Sequence, residues 1–286
     1  MVGRAEAAGR LTFDLGPLGP LFVAELLLLG TVVGFLAGML GIGGGMMMVP
    51  IITLLLLERG VEAGLAVKMA IATSGASILF TSVSSLLAHH RHGAVRWPLV
   101  AAFAPGIAIG GVAAGAGVLA LVRGQWLAIA FAAFNAIVAW RMWTGGTPKG
   151  ERGLPGPAAL VSVGAVIGFI CALVGAGGAF LSVPFMTRCS VPMREAVGTS
   201  AALGFPVALA STVGYVAGGW SLPQALPGAL GYLYLPGILI VALASVLMAP
   251  LGARMAHRMP VARLRRAFGL LLGVLAAYMA WQAMKG

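Results

Sequence analysis

Gly34-Phe35-Leu36-Ala37-Gly38-Met39-Leu40-Gly41-Ile42-Gly43-Gly44-Gly45, closed by Val49-Pro50, is met again as Gly168-Phe169-Ile170-Cys171-Ala172-Leu173-Val174-Gly175-Ala176-Gly177-Gly178-Ala179, closed by Val183-Pro184. Glycine costs about 1 kcal/mol per helix position relative to alanine, so three in a row favour a break in an otherwise apolar helix. Because the break occurs twice at matched places, it is a built element and not a local accident.

Working outward, Ala72-Thr73-Ser74 matches Gly198-Thr199-Ser200, Ser85 to Gly93 matches Ser211 to Gly219, and Pro105-Gly106 matches Pro236-Gly237. The order is kept in both copies. The chain therefore divides into a tail (1–20), a first repeat (21–143), a Gly- and Pro-rich linker (144–156) and a second repeat (157–286).

Of the 286 residues, 60% are apolar and 9% are charged. A soluble domain of this length needs more charge to cover its surface. A bilayer-spanning helix takes roughly 20 mostly apolar residues, and such runs recur along the whole chain. Backbone amides in hydrocarbon must be satisfied within the segment, so these runs are helices. The expectation is an all-α polytopic membrane protein with 8–10 membrane segments. The net charge of +11 sits in short loops, where Lys and Arg orient helices, and does not mark a nucleic-acid binder. Cys171 and Cys189 form no metal spacing. No cofactor, metal or catalytic residue is expected. One enzyme reading, a hydrolase using Ser200 or Ser74 with His257, has no Gly-x-Ser-x-Gly elbow to support it.

Each repeat reads as five helical pieces, about 21–41, 45–57, 65–89, 98–121 and 125–143 in the first. The second piece of each (45–57 and 177–187) is too short to span ~30 Å at 1.5 Å per residue, which makes it a half-helix, a short tilted helix or a re-entrant element. Counting both short pieces as crossings inverts the second repeat relative to the first. Twelve cations (Arg91, Arg96, Arg141, Lys149, Arg152, Arg188, Arg194, Arg254, Arg258, Arg263, Arg265 and Arg266) then share one side, and the other six fall opposite. Without those crossings the split is ten to eight. The positive-inside rule thus favours two inverted five-helix repeats with both termini outside.

Two features could carry chemistry. A discontinuous helix frees backbone amides, and the N-terminus of the following half-helix suits an anion; this nominates Gly43, Gly44, Gly45, Gly177 and Gly178. The competing reading is close packing through small residues. Next, Ser74, Ser77, Thr81, Ser84 and Ser85 are spaced by three and four and share a helix face beside Thr73, with Thr199 and Ser200 echoing them. Hydroxyls can donate to an anion without carrying fixed charge into the bilayer. Thr73, Ser74, Ser77, Thr199 and Ser200 join the candidate set, while the outer hydroxyls read better as bonds to their own helix. Lys68, about one turn before Thr73, is the candidate cation, with snorkelling to the interface as its competing role. Arg194 is a lesser one. His89, His90 and His92 read as a solvated basic loop, Asn135 as helix glue, and the six Trp residues as interfacial anchors. No carboxylate falls at the middle of a helix, which disfavours cation pumping and Asp/Glu-based proton antiport.

Gly41-Ile42-Gly43-Gly44-Gly45-Met46-Met47-Met48-Val49-Pro50, Ala72-Thr73-Ser74 and their second copies resemble the sulfite exporter TauE/SafE family. The likeness runs from about residue 22 to 283, and the second copy departs from it in having Ala179 where the first has Gly45. It implies a secondary transporter of the bacterial inner membrane that exports sulfite or an organosulfonate such as sulfoacetate by alternating access. An anion channel, or an importer of another small metabolite on the same fold, is the alternative. The implied partners are a small anion, a coupling ion and the lipid bilayer.

Overall fold

The computed structural model describes residues 19–40, 44–144, 153–222, 227–256 and 261–285. Among them are ten helices: α1 (Pro20–Leu40), α2 (Gly45–Glu58), α3 (Ala63–Arg91), α4 (Trp97–Leu121), α5 (Gly124–Thr144), α6 (Pro157–Val174), α7 (Ala179–Arg188), α8 (Met193–Gly219), α9 (Leu235–Ala256) and α10 (Val261–Lys285). Eight are long and apolar enough to cross a membrane. The exceptions are α2 and α7, with 14 and 10 residues. One two-stranded hairpin, β1 (Ala229–Leu230) with β2 (Leu233–Tyr234), precedes α9. All six Trp side chains are exposed and lie near helix ends.

Local chemistry sets the boundaries. Glu62 caps α3 by accepting from the amides of Gly64 (2.9 Å) and Leu65 (3.0 Å), which satisfies donors that have no helical partner. Gly175 ends α6 at φ +62° and Gly178 precedes α7 at φ +85°, left-handed values that glycine adopts without a Cβ penalty. The second break is thus a tight turn between two helices. In α4, residues Ala113–Val118 widen into a π-helical stretch.

The two halves interlock. The larger apolar core joins α1, α2 and α3 to α9, with α5 and α10 packed on its side. The smaller joins α6, α7 and α8 to α4. Each half therefore lends its fourth helix to the other half's bundle. Small residues permit this: a Cβ on Gly106 or Gly110 of α4 would overlap the backbone of Val161 or Ala165 in α6, and one on Gly34 of α1 would overlap Ser245 in α9. Backbones this close gain dispersion contacts that lipid chains would otherwise supply.

The same contacts give directions. α1 meets α9 in rising order, Gly34 at Ser245 and Phe35 at Gly252, so these two run parallel. α4 runs parallel to α6, with Gly106 at Val161 and Gly110 at Ala165 and Phe169, and also to α8, with Gly111 at Ala210 and Gly115 at Gly214. α3 is antiparallel to α8, since Gly75 meets Tyr215 and Ser82 meets Gly204. α5 is antiparallel to α10, with Gln125 bonded to the Ala283 carbonyl and Trp143 against Gly269.

Candidate functional site

The two glycine breaks touch each other. Ser74 Oγ of α3 stands 3.0 Å from the Gly45 carbonyl oxygen and 3.2 Å from that of Gly175, so one buried hydroxyl bridges both. A Cβ on Gly45 would overlap the Gly175 carbonyl. In the second half, Ser200 Oγ lies 2.7 Å from Ser182 Oγ, and Ser182 donates to the Gly178 carbonyl at 3.0 Å.

Thr73 and Thr199 do one job in both halves. Thr73 Oγ1 accepts from the Tyr234 amide (3.1 Å), just ahead of α9, and Thr199 Oγ1 accepts from the Arg96 amide (3.0 Å), just ahead of α4. Each threonine thus pins the helix that its own half has received from the other. Ser77 donates to the Thr73 carbonyl at 2.8 Å. Asn135 Nδ2 lies 3.4 Å from the Met46 carbonyl, the one that Pro50 in α2 leaves without its helical N–H.

Beside this bridge a cavity of about 300 Å³ opens along the last three turns of α3. Thr81, Ser82, Ser84 and Ser85 of α3, Ser200 of α8 and Ser245 of α9 line it, and Gly177 and Ala179 bring the start of α7 to its wall. His89 stands at the mouth, next to the loop that carries Arg91 and Arg96. Among the described residues, no Asp, Glu, Lys or Arg lines it. Hydroxyls are donors as well as acceptors, and the first amides of a helix have no intrahelical partner. The wall can therefore surround an anion with hydrogen bonds and no fixed charge.

The nominated residues do not converge on one place. Gly177 and Ser200 line the cavity. Gly44, Gly45, Thr73, Ser74, Ser77 and Thr199 are buried, and Gly178 caps the start of the short α7; none of these seven lines the cavity. Gly43 and His257 lie outside the described residues. Lys68 is away at the other end of α3, in a second cavity of about 450 Å³, where its ammonium donates to the Ala120 carbonyl at 3.1 Å and faces Tyr232. Arg194 donates to the His92 carbonyl (2.7 Å), beside an Arg96–Glu195 ion pair of 2.8 Å.

Of the outer hydroxyls, read above as bonds to their own helix, Thr81 makes that bond, to the Ile78 carbonyl at 3.3 Å, as does Ser82, to the Leu79 carbonyl at 3.1 Å. Thr81, Ser84 and Ser85 also line the cavity. Sequence reasoning passed over Ser182 and Ser245 because each stands apart from the stripe of three- and four-residue spacings, whereas Ser82, three residues before Ser85, could have been read with it. His89 was read with its loop, yet it continues α3 into the cavity. Among the described residues no group of three His, Cys, Asp or Glu side chains is placed to hold a metal ion.

The family model of the sulfite exporter TauE/SafE matches residues 26–279. The chain belongs to that family. It is a multi-pass membrane transporter and not an enzyme. A Haemophilus influenzae protein named "probable membrane transporter protein" is 33% identical over 260 residues, covering 90% of this chain and 98% of the relative. A similarly named Methanocaldococcus jannaschii protein is 25% identical over 273 residues, covering 94% and 98%. A Bacillus subtilis relative is 41% identical over 80 residues, 28% of this chain and 27% of its own. No solved structure matches.

Proposed function

We propose that this TauE/SafE member exports a small sulfur-containing anion, sulfite or an organosulfonate such as sulfoacetate, across the bacterial inner membrane by alternating access. The observation that carries the reading is the cavity: six hydroxyl-bearing residues and the start of α7 line about 300 Å³ that no carboxylate among the described residues lines. Hydrogen bonds to a charged group contribute about 1.5–3 kcal/mol each, so a few such donors suffice for a small oxyanion. That volume sits at the small end of ligand pockets, which run about 300–1,000 Å³.

Helix directions support the inverted arrangement. α1, α3 and α9 run one way and α4, α6 and α8 the other, so matched helices of the two halves oppose each other. The cavity opens on the face of Arg91 and Arg96, the cation-rich side that the positive-inside rule assigns to the cytoplasm. The layer around Ser74 separates it from the second cavity at Lys68. This is an inward-open state, ready to load from the cytoplasm, and an inside-negative potential favours anion efflux.

Proteoliposomes loaded in turn with sulfite, sulfoacetate, taurine or sulfate test the reading. Saturable efflux of sulfite or sulfoacetate, accelerated by the same anion outside, is expected. Flux that rises linearly and shows no counter-transport would make the protein an anion channel. Movement of none of the four would overturn the substrate class.

A further inference from the structure

The repeat match pairs Ser85 to Gly93 with Ser211 to Gly219, which sets His89 against Tyr215. These two occupy opposite situations. His89 is half-buried at the mouth of the open cavity. Tyr215 is fully buried, its ring lies about 3 Å from where a Cβ on Gly75 would stand, and its hydroxyl donates to the Ala172 carbonyl at 2.5 Å.

The surroundings of Tyr215 are the matches of the open cavity's wall. Gly75 matches Ala201, which lines that cavity, and Cys171 matches Ala37, which lines it too. The π-helical stretch Ala113–Val118 presses Gly115 against Gly214 and Tyr215. It matches residues 244–249 of α9, which supply Ser245, Val246 and Ala249 to the open cavity. A π-helical widening is rare and concentrates at functional sites. Tyr215 therefore sits where the mirror-image cavity would form, and it fills that place.

We propose that Tyr215 is the gate that closes the site toward the face opposite the cavity. His89 is its counterpart, which closes over Ala201 and the Gly38 carbonyl (the match of Ala172) when the protein faces the other way. The gate rests on the alternating-access reading above. The exchange of states then breaks the Tyr215 hydrogen bond on one side as His89 makes its own on the other.

Native Cys171 is the reporter, since it is buried in this state and would line the mirror-image cavity. The full chain with Cys189→Ser is treated with a membrane-impermeant maleimide in right-side-out and inside-out vesicles. Cys171 is expected to be protected from both faces. In Tyr215→Ala it reacts at least ~10-fold faster, from the face opposite the Arg91–Arg96 loop. Tyr215→Phe keeps the ring and removes one buried hydrogen bond, so a roughly two- to tenfold rise is expected even if the alanine variant fails to fold. A control with Ala37→Cys, Cys171→Ala and Cys189→Ser is labelled from the Arg91–Arg96 face. If that control reacts as expected while Cys171 stays protected in both Tyr215 variants, or reacts only from the Arg91–Arg96 face, the gate is overturned and the cavity reading stands. If the control is labelled from neither face, the cavity reading fails and takes the gate with it.

Discussion

At Gly45 a single hydrogen atom separates a fit from a collision. Its α-carbon approaches the Gly175 carbonyl so closely that a methyl group would overlap it. Forcing extra atoms into a packed interior costs about 1–3 kcal/mol. Gly45→Ala should therefore lower the thermal midpoint in detergent. Gly273→Ala in α10 meets nothing within 4 Å, so it should leave the midpoint unchanged or raise it, because alanine is the better helix former. Equal losses in the two variants would contradict the contact. Ser74→Ala tests the bridge from its other side, since it withdraws the hydroxyl from the Gly45 and Gly175 carbonyls. Leaving a buried acceptor unsatisfied costs about 1–3 kcal/mol, and differential scanning fluorimetry reads that loss directly.

The short helix α2 survives at the centre of the protein because its defect is answered. Pro50 withholds an amide from the Met46 carbonyl, and Asn135 of α5 reaches that oxygen. Asn135→Leu should cost about 1 kcal/mol or more, whereas in a Pro50→Ala background the restored N–H should absorb most of the loss. A double-mutant cycle measures this, and strict additivity would refute the pairing. Thr73 and Thr199 act at the same scale, each holding the start of a helix borrowed from the other half. Thr73→Val or Thr199→Val should destabilise by about 1 kcal/mol. Thr→Ser, which keeps the oxygen, should restore most of it. Legibility from sequence follows this scale. The glycine breaks, the hydroxyl stripe on α3 and the helix glue at Asn135 announce themselves by spacing or by rarity. The amide from which Thr73 accepts lies 161 residues away at Tyr234, and no local pattern carries that information.

For the whole molecule, eight long apolar helices, two short ones and a duplicated plan could be read from hydropathy and repetition. What could not be read is the exchange of α4 and α9 between bundles, because it depends on close backbone contacts such as Gly110 at Ala165 and Gly34 at Ser245. That exchange decides which hydroxyls face open space. It buries Ser74 and Ser77 in hydrogen bonds and leaves Ser84 and Ser85 beside Ser245 in the cavity. The claim that this cavity is the transport site is tested most directly by sulfite efflux from proteoliposomes bearing Ser84→Ala with Ser85→Ala. Both residues line the cavity from α3. Removing two donors to a charged guest should weaken apparent affinity by roughly 100-fold or more, with folding intact by thermal shift. Saturable efflux with unchanged half-saturation in the double variant would contradict it.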